Sequence, residues 1–562
     1  MSLPDDIVKN FETLRMKRIL FDHLAQEIID YVAPHFDDVV FTRVPGWKKT
    51  QHIFDSTASY GWFVLSQFIQ GSVLNQATKW FGLKSKNPDL NQNQNVATWY
   101  ADATNRALGV MRSSAFYGCA GQSINSWIGF GNGPVLIEDV PQVREGLARI
   151  RYTSIPFGKY VMAEGVDGKI DCVIRTVKMT AINAKRMFDK EKGESTGNLG
   201  VSDRIERAAE KEPFLEFEFL HSIHPRDVYN ANQKTKGKTA RDMPVASCWV
   251  EKEKKRLVRE SGYRRFPVAV ARYDLLSGEV FGRGPAHLAL PDARSLNRAD
   301  EMELVQWERE IDRPLKIRRN TVIGGIVDAR PAGRTTVTDI NGIGDLFDHK
   351  TNWQADDLMR KRKEQAILRV FHVNEILNLL AREKPEMTAF EVNARLNLLQ
   401  QILGPVFGRL ESDFLSVIVE VTLENMAYAG LLLDPPDELK VTGEGYDIVY
   451  EGPLARAQRN TEITAIQQSI ADVSGIAQFD QEAVQMVDFK KATRKLFEIR
   501  GTQDLVLSER EFEKKLEVLQ QQQQAQQMMA AGAQTAESLG KVAPFVKLAR
   551  EQTGATPPAA AA

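Results

Sequence analysis

The sequence predicts an α+β chain of several domains, on three observations. Apolar residues recur at helical spacing through the first quarter of the chain. From residue 134 to about 280 the period becomes strand-like, with turn signals between runs. Helical spacing then returns and continues toward the C-terminus, broken by a glycine-containing β-like segment at 313–350. At 562 residues the chain is too long for one core, so about three or four domains or sub-domains are expected.

In order, residues 5–32 read as an amphipathic helix (Ile7, Phe11, Leu14, Ile19, Leu20, Leu24, Ile28). "FDSTASYGWFVLSQFIQGSVL" follows at 54–74, with Asp55, Ser56 or Thr57 as the cap and Trp62, Leu65 and Ile69 on one stripe. "KWFGL" closes that unit, and one further helix is expected over 95–127. "PVLIEDV", "LARIRYTSI", "KYVMAEGVDGKIDCVIRTVKMT" and "FLEFEFLHSIHP" read as strands, with "VDGK" as a hairpin turn. A long helix is expected from about 285 to Pro314, and a second over 354–381 with Ile367, Leu368, Phe371, Ile376 and Leu380 on its apolar face. Pro385 argues against continuing that helix, and Thr388 with Glu391 forms a capping box that starts the next, with Met387 and Val392 as its staple. That helix carries apolar residues every three or four positions to Val417, with a kink expected at Gly404-Pro405. Beyond it lie a short stripe (Ile463, Ile466, Ile470, Val473), a second capping box (Ser508, Glu511) and a Gln/Ala-rich tail expected to be disordered.

Composition excludes several classes of protein. A net charge of −1 argues against bulk nucleic-acid binding, and three scattered cysteines (Cys119, Cys172, Cys248) against a disulfide framework or a cysteine-held zinc. The N-terminal stretch is unlike a secretion signal, and the most apolar long run is interrupted by Glu420 and Glu424, so a soluble, intracellularly made chain without a membrane span is expected. A search for chemistry finds little. "KTKGKTA" lacks the first glycine and the preceding strand of a phosphate loop, and "GFGNGP" precedes a strand rather than opening a helix, which marks a turn. His221, His224 and Asp227 have ligand-like spacing, but on a strand the two histidines face opposite ways, which favours polar residues at a strand end over a metal site. No G-x-S-x-G elbow is present. No cofactor and no enzymatic activity are expected.

Charge patterning says more. Arg313, Lys316, Arg318, Arg319, Arg330 and Arg334 share their segment with one acid, Asp328, and "RKRK" follows at Arg360, Lys361, Arg362 and Lys363. Two readings stand: a solvated face, or a surface for phosphates or an acidic partner. The absence of aromatics disfavours single-strand stacking.

A long helix, a short β excursion, a returning helix, a tight charged loop and a kinked long helix make a specific order. With "FDSTAS", "KWFGL", "IPFGKYVMAEGVDGKIDCVIRTVKMTA", "GEVFGRGPAHLALPDARSLN" and "EMTAFEVNARLNLLQQILGPVFGRLESDFLSVIVEVTLENMAYAGLLLDPP", it resembles the portal, or head-to-tail connecting, proteins of tailed bacteriophages, podoviruses above all. The resemblance implies a portal-type fold. Residues 1–282 with 383–455 would form a mixed α/β wing. Residues 283–312 and 351–382 would form a two-helix stem, 313–350 a small β-rich clip, and 456–562 a helical crown. It further implies a ring, usually of twelve subunits, at the unique vertex of the virion capsid, assembled in the host cytoplasm and passing double-stranded DNA without sequence preference during packaging and ejection. Implied partners are the terminase motor, a tail adaptor, and capsid and scaffolding proteins. "REKPE" (Arg382, Glu383, Lys384, Pro385, Glu386) would be the tunnel loop, with Arg382 and Lys384 touching phosphates and Glu383 and Glu386 limiting adhesion; an ordinary solvent-facing helix turn is the plain alternative. The basic clip residues would face the motor, the adaptor or DNA. Two rival readings remain, a packaging ATPase or nuclease, and an oligomeric tail or internal core component without a DNA channel.

Overall fold

A computed structural model of the chain describes residues 3–41, 43–44, 46–91, 93–140, 149–189, 197–226, 243–311, 315–318, 322, 336–339, 341, 343–345, 353–380, 404–442, 445–451, 463, 465–473, 488–500, 512 and 515. Residues 1–458 form one compact unit and 459–562 another. The fold is mixed helix and sheet, as the α+β reading expects.

In the first unit, α1 (Leu3–Tyr31) serves two cores. Ile7, Val8 and Phe11 pack on a sheet with Val161, Cys172, Leu220 and Cys248, whereas Ala25, Ile28 and Ile29 join the main helical core. The three-and-four spacing of these residues keeps one face inward over the whole length. Helix α2 (Thr57–Val73) buries Trp62, Leu65 and Ile69. Its entry is organised by Asp55, whose carboxylate accepts from the Thr57 amide at 3.0 Å and the Thr57 hydroxyl at 2.7 Å.

The single helix expected over 95–127 is two helices, α3 (Gln94–Ser113) and α4 (Phe116–Phe130). Ser114 is extended at φ −100° and ψ 175°, which breaks the helix, and its hydroxyl accepts the Phe116 amide at 3.3 Å to start the next. The last three residues of "KWFGL" open a strand, β1 (Phe81–Ser85), with Lys79 and Trp80 leading into it. It pairs antiparallel with the remote β12 (Tyr446–Tyr450), Phe81 opposite Tyr450.

Strands β2 (Asn132–Asp139), β3 (Ile150–Ser154) and β9 (Val268–Arg272) form a sheet ordered β3-β2-β9. Strands β4 (Tyr160–Glu164), β5 (Ile170–Thr180), β6 (Glu216–Pro225), β7 (Val245–Glu251) and β8 (Arg256–Tyr263) form a five-stranded antiparallel meander in chain order. "VDGK" is the β4–β5 turn, with Gly168 at φ +69°. "GFGNGP" is a junction: Gly131 caps α4 at φ +76°, and β2 starts at the next residue.

Helix α7 (Pro285–Ile311) leaves this core, after the short α5 (Ala181–Met187) and α6 (Asp203–Lys211). The helix expected over 354–381 is two pieces, α8 (Trp353–Val370) and α9 (Val373–Leu380). They are separated at His372, a non-glycine residue at φ +53°, and the buried Phe371 beside it packs where a Cβ on Gly61 would come within 2.7 Å of its ring. The long helix after the loop is described from residue 404. Among its described residues the irregularity is a π-type turn, Leu410–Leu415, which leads into α10 (Ser416–Tyr428), and the chain on the upstream side of the kink expected at Gly404-Pro405 lies outside the described residues. The Ser416 hydroxyl (2.8 Å) and the Tyr450 hydroxyl (3.1 Å) both donate to the Glu411 carbonyl in that turn.

Two glycines separate backbone conformation from crowding. A Cβ at Gly131 would lie 2.3 Å from the Gly282 carbonyl oxygen, backbone that cannot rotate away, whereas one at Gly168 would meet nothing within 4 Å. Gly168→Ala is therefore expected to lose about 1 kcal/mol, the left-handed penalty alone, and Gly131→Ala about 3 kcal/mol or more once the clash is added. Urea unfolding monitored by circular dichroism measures both.

Candidate functional site

The residues singled out in the sequence fall in three places. Tunnel-loop residues Arg382, Glu383, Lys384, Pro385 and Glu386 lie outside the described residues, as do Arg313, Arg319, Arg330 and Arg334 of the clip. Lys316 and Arg318 are described and exposed. Strand β10 (Leu315–Ile317) pairs antiparallel with β11 (Ile343–Asp345), and Arg318 meets Asp339 at 3.1 Å. A bridge between Val322 and Val337 continues the antiparallel pattern.

Helices α7 and α8 pack antiparallel, and the "RKRK" run lies on this hairpin. Arg360 sits at its centre, 3.4 Å from Asp300, 3.1 Å from Glu303 and 3.1 Å from Glu364. Lys363 reaches Asp292 at 2.5 Å and Lys361 reaches Asp357 at 2.6 Å. Arg362 is exposed and makes no ion pair with a described residue. The two ends of the central pair differ in environment. Arg360, 39% exposed, is held protonated because Asp300, Glu364 and Glu303 together outweigh the burial that opposes its charge. Asp300, 8% exposed, has its carboxyl pushed up by burial, which outweighs the nearby Arg360. Together α7 and α8 carry nine acidic and eight basic residues, so this hairpin is nearly neutral despite its basic run.

The acids of α7 that neutralise "RKRK" lie some sixty residues earlier in the chain, and their register carries a signal of its own. In an antiparallel hairpin the numbers of facing residues sum to a near-constant, and 292 with 363, 300 with 360 and 303 with 360 fit that rule.

Apolar exposure changes along the same helix. Leu290, Ala293 and Leu296 are buried, but beyond Asp300 no described α7 side chain is. Met302, Leu304, Trp307 and Ile311 stand 56%, 52%, 55% and 83% exposed, and on α8 Leu358 and Met359 are 52% and 57% exposed. Several large apolar side chains of this hairpin therefore stand open to water on a single copy.

His221 and His224 point to different environments, as their spacing on β6 requires. His221 stacks on Trp249 at 4.1 Å, accepts from Arg175 Nε at 3.0 Å and meets the Ser247 hydroxyl at 2.9 Å. His224 meets the Ser222 hydroxyl at 2.9 Å. Asp227 lies outside the described residues, and among the described residues no group of three or more metal-binding side chains is placed to hold an ion. No described helix is long and apolar enough to cross a membrane.

The profile of bacteriophage head to tail connecting proteins matches residues 5–507 of this sequence. The chain belongs to that family. The connector is 25% identical over 560 residues to the probable portal protein of Bordetella phage BPP-1, covering 95% of each chain. It is 25% identical over 544 residues to the portal protein of Salmonella phage epsilon15, covering 94% of each. Its role as a phage portal, a structural component of the virion joining head to tail, follows from this membership. In the connector, then, the projecting hairpin and its charge pairs belong to a structural protein.

Two expectations follow from the described groups. Removing Arg360 strands a half-buried acidic cluster, so Arg360→Ala is expected to lower stability by about 1–2 kcal/mol after allowance for solvent screening, while Arg362→Ala leaves the urea midpoint unchanged. Burial, with Arg226 nearby, holds His224 down at about 4; burial likewise holds His287 at about 4, and burial with Arg175, Arg259 and Arg151 holds His221 well below 6.5. The unfolded chain takes up these protons near 6.5, the folded one only well below it. Stability from these sites is thus complete above about pH 6.5 and falls as the pH drops toward 4, by on the order of 2–3 kcal/mol for each of His224 and His287. Denaturation midpoints between pH 7 and 4.5 measure this slope, and His224→Asn should flatten it.

Proposed function

We propose that the connector closes into a ring, of twelve copies by likeness to portals, and that the ring is the conduit for double-stranded DNA during packaging and ejection. The observation that carries this reading is the apolar face of α7 and α8 beyond Asp300, which one copy does not cover. Neighbouring copies related by closed rotation would bury it without extending into fibres. In this reading residues 1–282 with 383–455 are the wing, 283–312 and 351–382 the stem, 313–350 the clip and 456–562 the crown.

Near-neutral charge on the stem suits a conduit. Each phosphate neutralised by a lysine or arginine adds affinity and salt dependence, about 0.9 in the slope of log K against log salt for duplex DNA, and a wall that gripped the duplex would slow it. The internal pairing of Arg360, Lys361 and Lys363 limits such grip. Arg382 and Lys384 of the tunnel loop would make transient phosphate contacts, with Glu383 and Glu386 opposing adhesion. Lys316, Arg318 and the neighbouring clip arginines would meet acidic surfaces of the terminase motor and the tail adaptor, with capsid and scaffolding proteins around the wing. Assembly would take place in the host cytoplasm.

Electron microscopy of the purified protein, with or without scaffold, tests the reading. The expected result is a ring with a central opening wide enough for duplex DNA; persistent monomers under both conditions would overturn it. Trp307→Glu, placing a charge in the apolar face, is expected to abolish ring closure while leaving the subunit's circular dichroism intact. Arg382→Ala with Lys384→Ala should leave rings intact and change DNA packaging or retention.

A further inference from the structure

A cleft of about 400 Å³ lies between the two sheets of the first unit, walled on one side by β2 and β3 and on the other by β7, β8 and α10. Its size is within the roughly 300–1,000 Å³ of pockets that bind specific ligands. Five arginines line it, Arg149, Arg151, Arg259, Arg264 and Arg265, against three acids, Glu138, Asp139 and Glu424. They come from separate stretches of chain, on β3 and the residue just before it, on β8 and on the segment after β8, so the sequence does not show them as a cluster. Three are anchored at their inner ends: Arg151 to Glu138 at 2.8 Å, Arg149 to Asp139 at 3.2 Å, and Arg265 to Glu420 at 2.8 Å. Arg264 is exposed, and its guanidinium lies over the Tyr428 ring.

Beneath the cleft the side chains are buried and hydrogen-bonded, and they add more positive charge. Trp249 lines the cleft, with His221 stacked on it and Arg175 buried behind. The Tyr263 hydroxyl donates to Glu138 at 3.0 Å, completing a network that ties the small sheet to the large one. The local field is cationic: Arg175, Arg259 and Arg151 all bear on His221, and burial together with these three keeps the imidazole neutral. Arginines fixed by carboxylates on one side keep donors available on the other, and the planar fork matches a carboxylate. Met187, Met243 and Tyr428 supply an adaptable apolar rim.

We propose that this cleft docks an acidic segment of a partner protein, its carboxylates paired with Arg149 and Arg264 and its apolar side chains set on Trp249, Tyr428 and the methionines. The size and composition favour a peptide over nucleic acid. A cleft of this volume cannot admit a duplex whose major groove alone is about 12 Å wide, and arginines already half-neutralised suit a few carboxylates better than a phosphate chain. A protein that connects head to tail must also hold other proteins by its surface. The proposal does not depend on ring closure or on a DNA channel.

The test uses the full-length protein and two fluorescent probes: a short peptide alternating glutamate with leucine and phenylalanine, and a duplex oligonucleotide. Anisotropy is read at low and high salt, with a glutamine-for-glutamate peptide as control. The expected result is salt-sensitive binding of the acidic peptide, lost in the glutamine control and weakened ten-fold or more by Arg149→Gln with Arg264→Gln. Each single variant changes a partly or fully exposed side chain and is read alongside, so misfolding of the double variant, checked by circular dichroism, does not decide the outcome. No binding of the acidic peptide, equal binding by the folded variants, or tighter variant-sensitive binding of the duplex would overturn the proposal.

Discussion

The projecting hairpin is governed by one constraint: α7 has a core to pack against only as far as Asp300. Up to that point its inward face, Leu290, Ala293 and Leu296, joins the main apolar cluster with residues of α1, α2 and α4. Past it, two helices must satisfy each other, and two helices cannot bury a full face between them. Charge pairing takes over where apolar burial stops. Arg360 holds the crossing point through Asp300, Glu303 and Glu364, and the residual apolar side chains turn outward. The same change of environment explains why Asp300, at the edge of the core, is buried while its neighbours down the helix are not.

Much of the fold was legible from periodicity. The stripes of α1 and α2, the β4–β5 hairpin and the long strands β5 and β6 follow directly from apolar spacing and turn residues. The misses have physical causes. The break at His372 occurs without glycine or proline because a tertiary contact sets the backbone there, Phe371 being seated on α2 beside Gly61, whereas the break at Ser114 is local, set by its extended backbone and its hydroxyl on the Phe116 amide. The pairing of β1 with β12 joins residues 81 and 450, a separation at which no local pattern operates. At the hairpin the basic run was visible, but its neutralisation depends on α7 acids some sixty residues earlier. The arginines of the inter-sheet cleft were invisible for the same reason, since three segments of chain bring them together.

The two sheets are joined by polar contacts as much as by apolar packing. Glu138 on the small sheet takes Arg151 and the Tyr263 hydroxyl, and Arg272 at the end of β9 reaches Glu164 of the large one and, at 3.9 Å, Asp413 of the π-type turn. Removing Glu164 from the buried Arg272 leaves a stranded charge, which costs more than the pair contributes when intact. The two-sheet part of the first unit therefore resists piecemeal change at these positions.

The π-type turn at Leu410–Leu415 has a consequence for how length changes would be read along this helix. It holds one residue more than an α-helical path over the same span, and two hydroxyls fasten its Glu411 carbonyl in place. Deleting a single residue there would restore regular winding and leave the preceding turn at 404–409 in nearly the same phase relative to α10, whereas deleting one from the regular winding of α10 would swing the upstream turn by about 100° and draw it in by about 1.5 Å. The surplus residue thus acts as slack in the winding. It lets this helix carry one more residue without changing the side from which the upstream chain departs.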